Sequence, residues 1–353
     1  MKNSPVYAEI PMRSIGPIKI SGPVLTDEVM VPLATFETPL WPSTNRGARV
    51  SQEIGGIKVV IVDDRMTRSV LVEGPDAEYI STVVTALGSC RSELAAVVSA
   101  SSRFAILENW HTQLVGNLLY VRFEMTTGDA SGHNMTTKAA DALLDWLLKR
   151  FTKLQYVSIS GNYCCDKKVS SVNGILGRGK YVIAEALVPR KICEKVLKAT
   201  PEKIVNLNIK KNLIGSILAG GVRTANAHFA NMLLGFYLAT GQDAANIIEG
   251  SQGIVHAECR GDDLYFSVTL PNVIVGTVGN GKDLPFVKEN LLKLGCLAAR
   301  DPGQNSRRLA AIAAAAVLCG EISLLAAQTN KGELMESHLC LERLEHEKNE
   351  RVE

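Results

Sequence analysis

No unbroken run of apolar residues in this 353-residue sequence is long enough to cross a bilayer. The longest unbroken stretch, Leu309 to Gly320, falls short of the roughly 20 residues that a spanning helix needs. It is rich in alanine and follows Asn305 and Ser306, so it reads as a buried helix. The opening residues, MKNSPVYAEIPMRSIG, lack the apolar core of a signal peptide, and a soluble, cytoplasmic protein is expected. Strong charge is missing too. A net charge of +2 gives no long-range field to attract nucleic acid or an anionic membrane, so neither is expected as a partner. Any anion must be held locally. The eight cysteines form no CxxC pair and no His/Cys spacing of the zinc type, so no metal is expected. Cys164 and Cys165 are adjacent, a poor geometry for a mutual disulfide, and the thiols are read as reduced.

What is present is ordinary globular composition, 46% hydrophobic and 21% charged, without internal repeats or low-complexity linkers. The length exceeds what one core comfortably serves and allows two domains. Extended segments are expected through the first seventy residues, including the β-branched run Ile57–Val62. A helix is expected near Pro75–Leu87, a strand at Asn117–Met125, and an amphipathic helix over Thr136–Phe151. A short strand, Gln155–Ser160, then a strand at Lys180–Val188 and a helix at Lys191–Ala199 follow. A long helix over Thr224–Thr240 should end at Gly241, and residues 256–270 alternate as a hairpin about Arg260–Asp263. Leu341–Glu353 reads as a charged tail or frayed helix. The pattern is α+β, with one module inserted into another.

Three stretches could meet phosphate. Gly174 to Lys180 matches GxxxxGK, but Tyr181 replaces the hydroxyl residue and a strand follows where a helix is required, so a glycine turn is the better reading. Gly276 to Lys282 offers three glycines without a preceding βα unit, and reads either as a turn or as a cofactor loop. Gly128 to Met135 precedes a helix and reads either as a cap or as an anion site.

Residues 160–171, SGNYCCDKKVSS, admit a redox, a solvated or a catalytic reading. Taken with VPLATFETPLWPSTNRGAR (31–49), GDASGHNM (128–135), SISGNYCCDKK (158–168), NIKKNLIGS (208–216), NAHFAN (226–231), GQDAAN (241–246), GTVGNGK (276–282) and SHLCLER (337–343), they form an ordered set. That set resembles the 3-hydroxy-3-methylglutaryl-coenzyme A (HMG-CoA) reductases over roughly residues 10–345, and is closer to their eukaryotic and archaeal class than to the degradative bacterial one. The resemblance implies a large helical, mixed substrate domain (1–68 and 158–353) with an inserted ferredoxin-like, NADP-binding domain (69–157). It also implies two-step reduction of HMG-CoA by NADPH to mevalonate and free coenzyme A, in the mevalonate route to isoprenoids. Active sites between subunits of a homodimer or homotetramer come with it.

By the same resemblance, Lys167 is the cation that meets the oxyanion formed at each hydride addition; from the segment alone, Lys167 and Lys168 also read as a solvated pair. Glu37 corresponds to the proton-supplying glutamate, and its apolar neighbours would raise its pKa by desolvation; a surface carboxylate is the plainer reading. Asp243 would link that glutamate and the lysine, or simply cap a helix. His338 would protonate the departing thiolate. Arg68, Ser160, Asp166, Lys168, Lys211, His228 and Asn231 fall at positions around the hydroxymethylglutaryl group. Ser43, Asn45 and Arg46 fall near coenzyme A. Asp129, Asn134, Gly279 and Gly281 match cofactor positions, and Ser102, Arg103, Phe104 and Arg343 lie where a 2′-phosphate is read, which favours NADPH over NADH.

Four positions depart from the family within the cofactor loops: Ser131 and His133 stand for methionines, Asn280 for glycine and Lys282 for threonine. Two other functions are compatible with the pattern. One is an NADH-linked, mevalonate-degrading reductase. The other is a non-catalytic paralogue acting as a binding subunit, whose mark would be loss of one of the four catalytic residues; none is lost.

Overall fold

Alternating apolar residues between proline and glycine punctuation build an antiparallel ribbon, β1 (Met12–Ile20) and β2 (Asp27–Ala34), in this computed structural model, which describes residues 6–336 and Leu339. A helix, α1 (Leu40–Glu53), follows where extended chain is expected. Its buried face is Leu40, Trp41, Thr44, Gly47, Ala48, Val50 and Ser51, largely small or polar, so the apolar period is faint in the sequence. The face is small because α1 packs tightly on the long helix Gln304–Gln328. A Cβ on Gly47 would lie 2.0 Å from the Cys319 carbonyl oxygen.

β3 (Lys58–Glu73) is 16 residues long and runs through the centre of the molecule. With β4 (Ile106–Val115), β5 (Leu118–Thr126), β6 (Gln155–Ser158), β7 (Gly179–Val188), β8 (Thr224–Ala225), β9 (Gly253–Arg260) and β10 (Asp263–Val273) it forms an eight-stranded sheet, ordered β4-β5-β3-β7-β10-β9-β8 with β6 on β3. The ladder of β3 changes partner midway: Lys58 to Arg65 pair with β7, Met66 to Glu73 with β5. The hairpin about Arg260–Asp263 and the strands near 118–126, 155–158 and 179–188 fall where the alternation places them.

Two cores flank this sheet. One gathers residues from Val70 to Leu154 beneath α2 (Ala77–Gly88), α3 (Arg91–Ser101) and α4 (His133–Arg150). The other surrounds the Gln304–Gln328 helix, which is long and apolar enough to cross a membrane but is enclosed by the protein along its length. A helix apolar on all sides is a core helix when other elements cover it.

Two boundaries differ from the sequence reading. α4 starts at His133, so three residues of the GDASGHNM segment sit in its first turn. The helix expected from Thr224 starts at Phe229, because Thr224–Ala225 adds to the sheet beside β9. The turn Gly174–Lys180 does lead into a strand: Gly177 and Gly179 have φ of +79° and +83°, and Lys180 is spent on an ion pair with Asp64 at 3.2 Å. Residues 341–353 lie outside the described part.

Candidate active site

The segment SGNYCCDKKVSS leaves β6 and reaches the short helix Ser171–Leu176. Asn162, Cys165 and Lys167 take positive φ of 57°, 44° and 55°. For residues other than glycine this costs about 1 kcal/mol or more each, so surrounding contacts must hold the loop. Cys164 is fully buried and accepts a hydrogen bond from the Ser69 hydroxyl at 3.5 Å, whereas the Cys165 thiol donates to the Asn162 carbonyl at 2.9 Å. The two thiols therefore serve packing and the turn. Ser160 is tied back to Ser158 by its backbone, and exposed Lys168 donates to the Asp166 carbonyl at 3.1 Å.

Lys167 Nζ lies 2.7 Å from Asp243 Oδ2. The hydrogen bond to Asp243 raises the Lys167 pKa, keeping the ammonium charged. Burial alone would raise the Asp243 carboxyl, but the Lys167 hydrogen bond, the Ala245 amide and the lysine charge together outweigh it and lower the pKa. Asp166 faces two guanidiniums, Arg178 at 2.9 Å and Arg68 at 3.8 Å, and the His133 ring at 3.6 Å. Burial opposes its charge, yet the hydrogen bond from His133 and the guanidiniums of Arg178 and Arg68 hold the carboxyl well below its usual range.

Arg68, His133, Asp166, Lys167 and Asp243 line a cavity of about 580 Å³ that also receives the two glycine-bearing loops. The loops abut: a Cβ on Gly276 would lie 2.3 Å from the Ser131 amide nitrogen, and Ala130 bridges to Val278. Gly279, with φ of +101°, faces open space, and no atom lies within 4 Å of where its Cβ would be. A planar or phosphate group can approach that backbone closely. His133, Asn134, Gln242 and Asn280 supply polar wall. Lys282 is buried in the same wall and donates to the Gly241 carbonyl, and burial pushes its pKa down to about 8. Gly281 packs against Gly241 rather than facing the cavity.

The remaining residues singled out from sequence fall around this cavity or apart from it. Asp129 spends its carboxylate on the Ser306 amide at 2.9 Å, at the start of the long helix. Ser102 caps its own turn through the Phe104 and Ala105 amides, Arg103 is exposed over the Phe104 ring, and Phe104 packs near Gly128. On α1, Asn45 accepts from the Gly16 amide and Ser43 meets Ser323. Arg46 binds Glu333 at 2.6 Å and the Ser323 hydroxyl at 3.0 Å. Glu37 accepts from Asn231 at 2.7 Å. The apolar enclosure expected around Glu37 is not there: Phe36 and Glu37 are exposed. Nor does Asp243 join Glu37 to Lys167 among the described residues, since Asp243 bonds the lysine and Glu37 bonds Asn231. Lys211 is half-buried, which lowers its pKa, and reaches the Asn212 side chain. His338 and Arg343 lie outside the described residues.

Behind the lysine loop and beside His228, sequence reasoning missed the buried charges Arg178, Glu249 and Glu321. Arg178 and Glu249 pair at 2.7 Å behind the lysine loop. Glu321, on the long helix, accepts the Ala227 and His228 amides and lies 3.8 Å from His228 Nε2. Only the GRG turn around Arg178 left a trace in the sequence.

The hydroxymethylglutaryl-coenzyme A reductase family model matches residues 3–343. The 3-hydroxy-3-methylglutaryl-coenzyme A reductase of Pyrococcus horikoshii is 46% identical over 338 residues, covering 95% of this chain and 81% of that protein. The Aeropyrum pernix reductase is 40% identical over 337 residues, covering 95% and 80%. Among solved structures, the class II reductase of Streptococcus pneumoniae, bound to NADPH in open conformations, superposes with a TM-score of 0.73 at 18% identity, over 94% of this chain and 88% of that one. At that identity the likeness concerns the fold. With the family model spanning nearly the whole sequence and two relatives at or above 40% identity, the chain belongs to the HMG-CoA reductase family of oxidoreductases, which reduces HMG-CoA to mevalonate.

Proposed function

We propose that this chain carries out the two-step, NADPH-dependent reduction of (S)-HMG-CoA to mevalonate and coenzyme A. The observation that carries the reading is the Lys167–Asp243 ion pair, at 2.7 Å, on the wall of a cavity lined by backbone of two glycine-bearing loops. The open Gly279 backbone and the Asn134 amide suit a dinucleotide. Bound NADPH would supply hydride to the thioester carbon and, at a second turn, to the aldehyde.

Lys167 offers a fixed positive charge to the oxygen of that carbon, where negative charge develops. Asp243 keeps the ammonium in place. Glu37, held by Asn231, supplies a proton at the carbinol oxygen, and His338 protonates the departing thiolate. Arg68, Ser160, Asp166, Lys168, Lys211, His228 and Asn231 hold the hydroxymethylglutaryl group, with Ser43, Asn45 and Arg46 toward coenzyme A. Asn134 and Gly279 cradle the cofactor, Asp129 and Gly281 hold the loops behind them, and Ser102–Phe104 with Arg343 select its 2′-phosphate.

The separation of the Glu37–Asn231 pair from the Lys167–Asp243 pair within one chain supports a homodimer or tetramer whose neighbouring subunits complete each site. Ile217 and Leu218, 76% and 83% exposed, offer apolar surface that a neighbouring subunit would cover. The separate core under α2 to α4 supports an inserted ferredoxin-like cofactor module at 69–157, and a cytoplasmic location fits this chemistry. The test is NADPH oxidation followed with HMG-CoA, against NADH, in the intact chain. Absence of turnover with either nucleotide would reject the reading, and a preference for NADH would reject the role given to Arg103 and Arg343.

A further inference from the structure

The Gly177-Arg178-Gly179 turn has no part in the chemistry above, yet its geometry is demanding. A Cβ on Gly177 would lie 2.9 Å from the Pro271 carbonyl oxygen, and one on Gly179 would lie 2.6 Å from that of Val273. The turn is pressed against β10, and the Arg178 side chain between the glycines is fully buried. One arm, Nη1, meets Glu249 Oε1 at 2.7 Å; the other, Nη2, meets Asp166 Oδ1 at 2.9 Å. Glu249 is also fully buried, and its Oε1 accepts the Lys167 backbone N–H at 3.1 Å and the Asn246 amide at 3.0 Å.

A guanidinium is planar and rigid, so the directions of its two arms are fixed relative to one another. Two consecutive residues are thereby referenced to one group, Asp166 through its side chain and Lys167 through its backbone. The Glu249 bond falls on Lys167, whose φ of +55° is unfavourable for a residue with a side chain. Neither Arg178 nor Glu249 lines the cavity, so neither touches substrate or cofactor there.

We propose that the Arg178–Glu249 pair is the positioning unit of the lysine loop, aiming the Lys167 ammonium at Asp243 while keeping Asp166 on the cavity wall. The proposal rests on the reading of Lys167 as the catalytic cation. The pair acts through the loop and not on the reacting atoms.

The experiment uses the full chain with Glu249→Ala, Glu249→Gln and Arg178→Lys. Backbone hydrogen exchange reads the hold directly and needs no turnover. Exchange at the Lys167 amide should quicken about tenfold or more in Glu249→Ala, less in Glu249→Gln, whose amide oxygen still accepts, with protection kept in β10 and the Gln304–Gln328 helix. In kinetics, kcat should fall at least about thirtyfold in Glu249→Ala, with KM for both substrates within about threefold, and Glu249→Gln and Arg178→Lys should lie between. In a Lys167→Ala background, Glu249→Ala should cost nothing further. Unchanged exchange at Lys167, or losses that multiply in the double variant, would overturn the proposal. So would loss of protection throughout the chain in both Glu249 variants, which would make the pair part of the fold instead. A wild type that does not oxidise NADPH would sink the functional reading alone, because the exchange measurement still decides the positioning role.

Discussion

Lys167 and Asp243 pair at 2.7 Å although their side chains are 40% and 43% exposed. An ion pair that open to solvent contributes at most about 1 kcal/mol to stability, so its placement is a matter of chemistry. Lys167→Ala should therefore leave the unfolding midpoint nearly unmoved and still bind HMG-CoA, while turnover drops by about three orders of magnitude or more. Asp243→Asn should fall between. Full NADPH oxidation by Lys167→Ala would remove the lysine from the mechanism.

Asp166 makes a different prediction. Burial raises its carboxyl, but the His133 hydrogen bond and the guanidiniums of Arg178 and Arg68 outweigh that and hold it well below its ordinary value of 3.8. The stabilisation is present in full above the unfolded value near 3.8 and is lost as pH falls toward the folded one. Asp166→Asn should cost about 2 kcal/mol at pH 7, with the gap to wild type closing below pH 4 in urea titrations. A gap that stays constant across that range would contradict the assignment.

Lys282 has the opposite sign. Its folded pKa of about 8 lies below the ordinary 10.5, so the buried charge penalises folding in full below about 8, and the penalty fades as pH rises to 10.5. Each pKa unit is worth about 1.4 kcal/mol; after losing one hydrogen bond of about 1 kcal/mol, Lys282→Met should gain about 2 kcal/mol at pH 7. That gain should vanish by pH 10. Destabilisation at pH 7 would show that the contact with Gly241 dominates.

Gly47 and Gly88 separate crowding from helix propensity. At Gly47 a Cβ would meet the Cys319 backbone oxygen at 2.0 Å, whereas at Gly88, on the last turn of α2, nothing lies within 4 Å. Gly47→Ala should destabilise by about 3 kcal/mol or more, and Gly88→Ala should stabilise by about 0.5 kcal/mol. Thermal unfolding of the two variants checks both, and a tolerated Gly47→Ala would mean that α1 and the long helix can move apart.

The elements that sequence revealed are those whose pattern is local. β3, β5 and β7 alternate or run β-branched, α4 repeats apolar residues at helical spacing, and the alanine-rich helix is apolar on every face. α1 escaped because small residues set its close crossing with a helix far away in sequence, and no local period records that. The same limit applies to the site. Lys167, Asp166 and the glycine loops stand in recognisable strings, whereas Glu249 and Glu321 are single carboxylates whose meaning depends on partners many residues distant. Arg178 was visible only as a turn that failed to be a phosphate loop. The openness of Glu37 was hidden for a related reason: apolar neighbours in sequence, such as Phe36, turned out to face solvent.

β3 passes from β7 to β5 between Arg65 and Met66 without a break, and it carries Arg68 just past that point. The lysine loop springs from β6, and Arg178 precedes β7, so both are attached to strands laid against the same beam. The lysine loop and the Arg178 turn thus take their positions from one continuous strand, so the alignment of Asp166 with its guanidinium is set by the sheet and not by the loops alone.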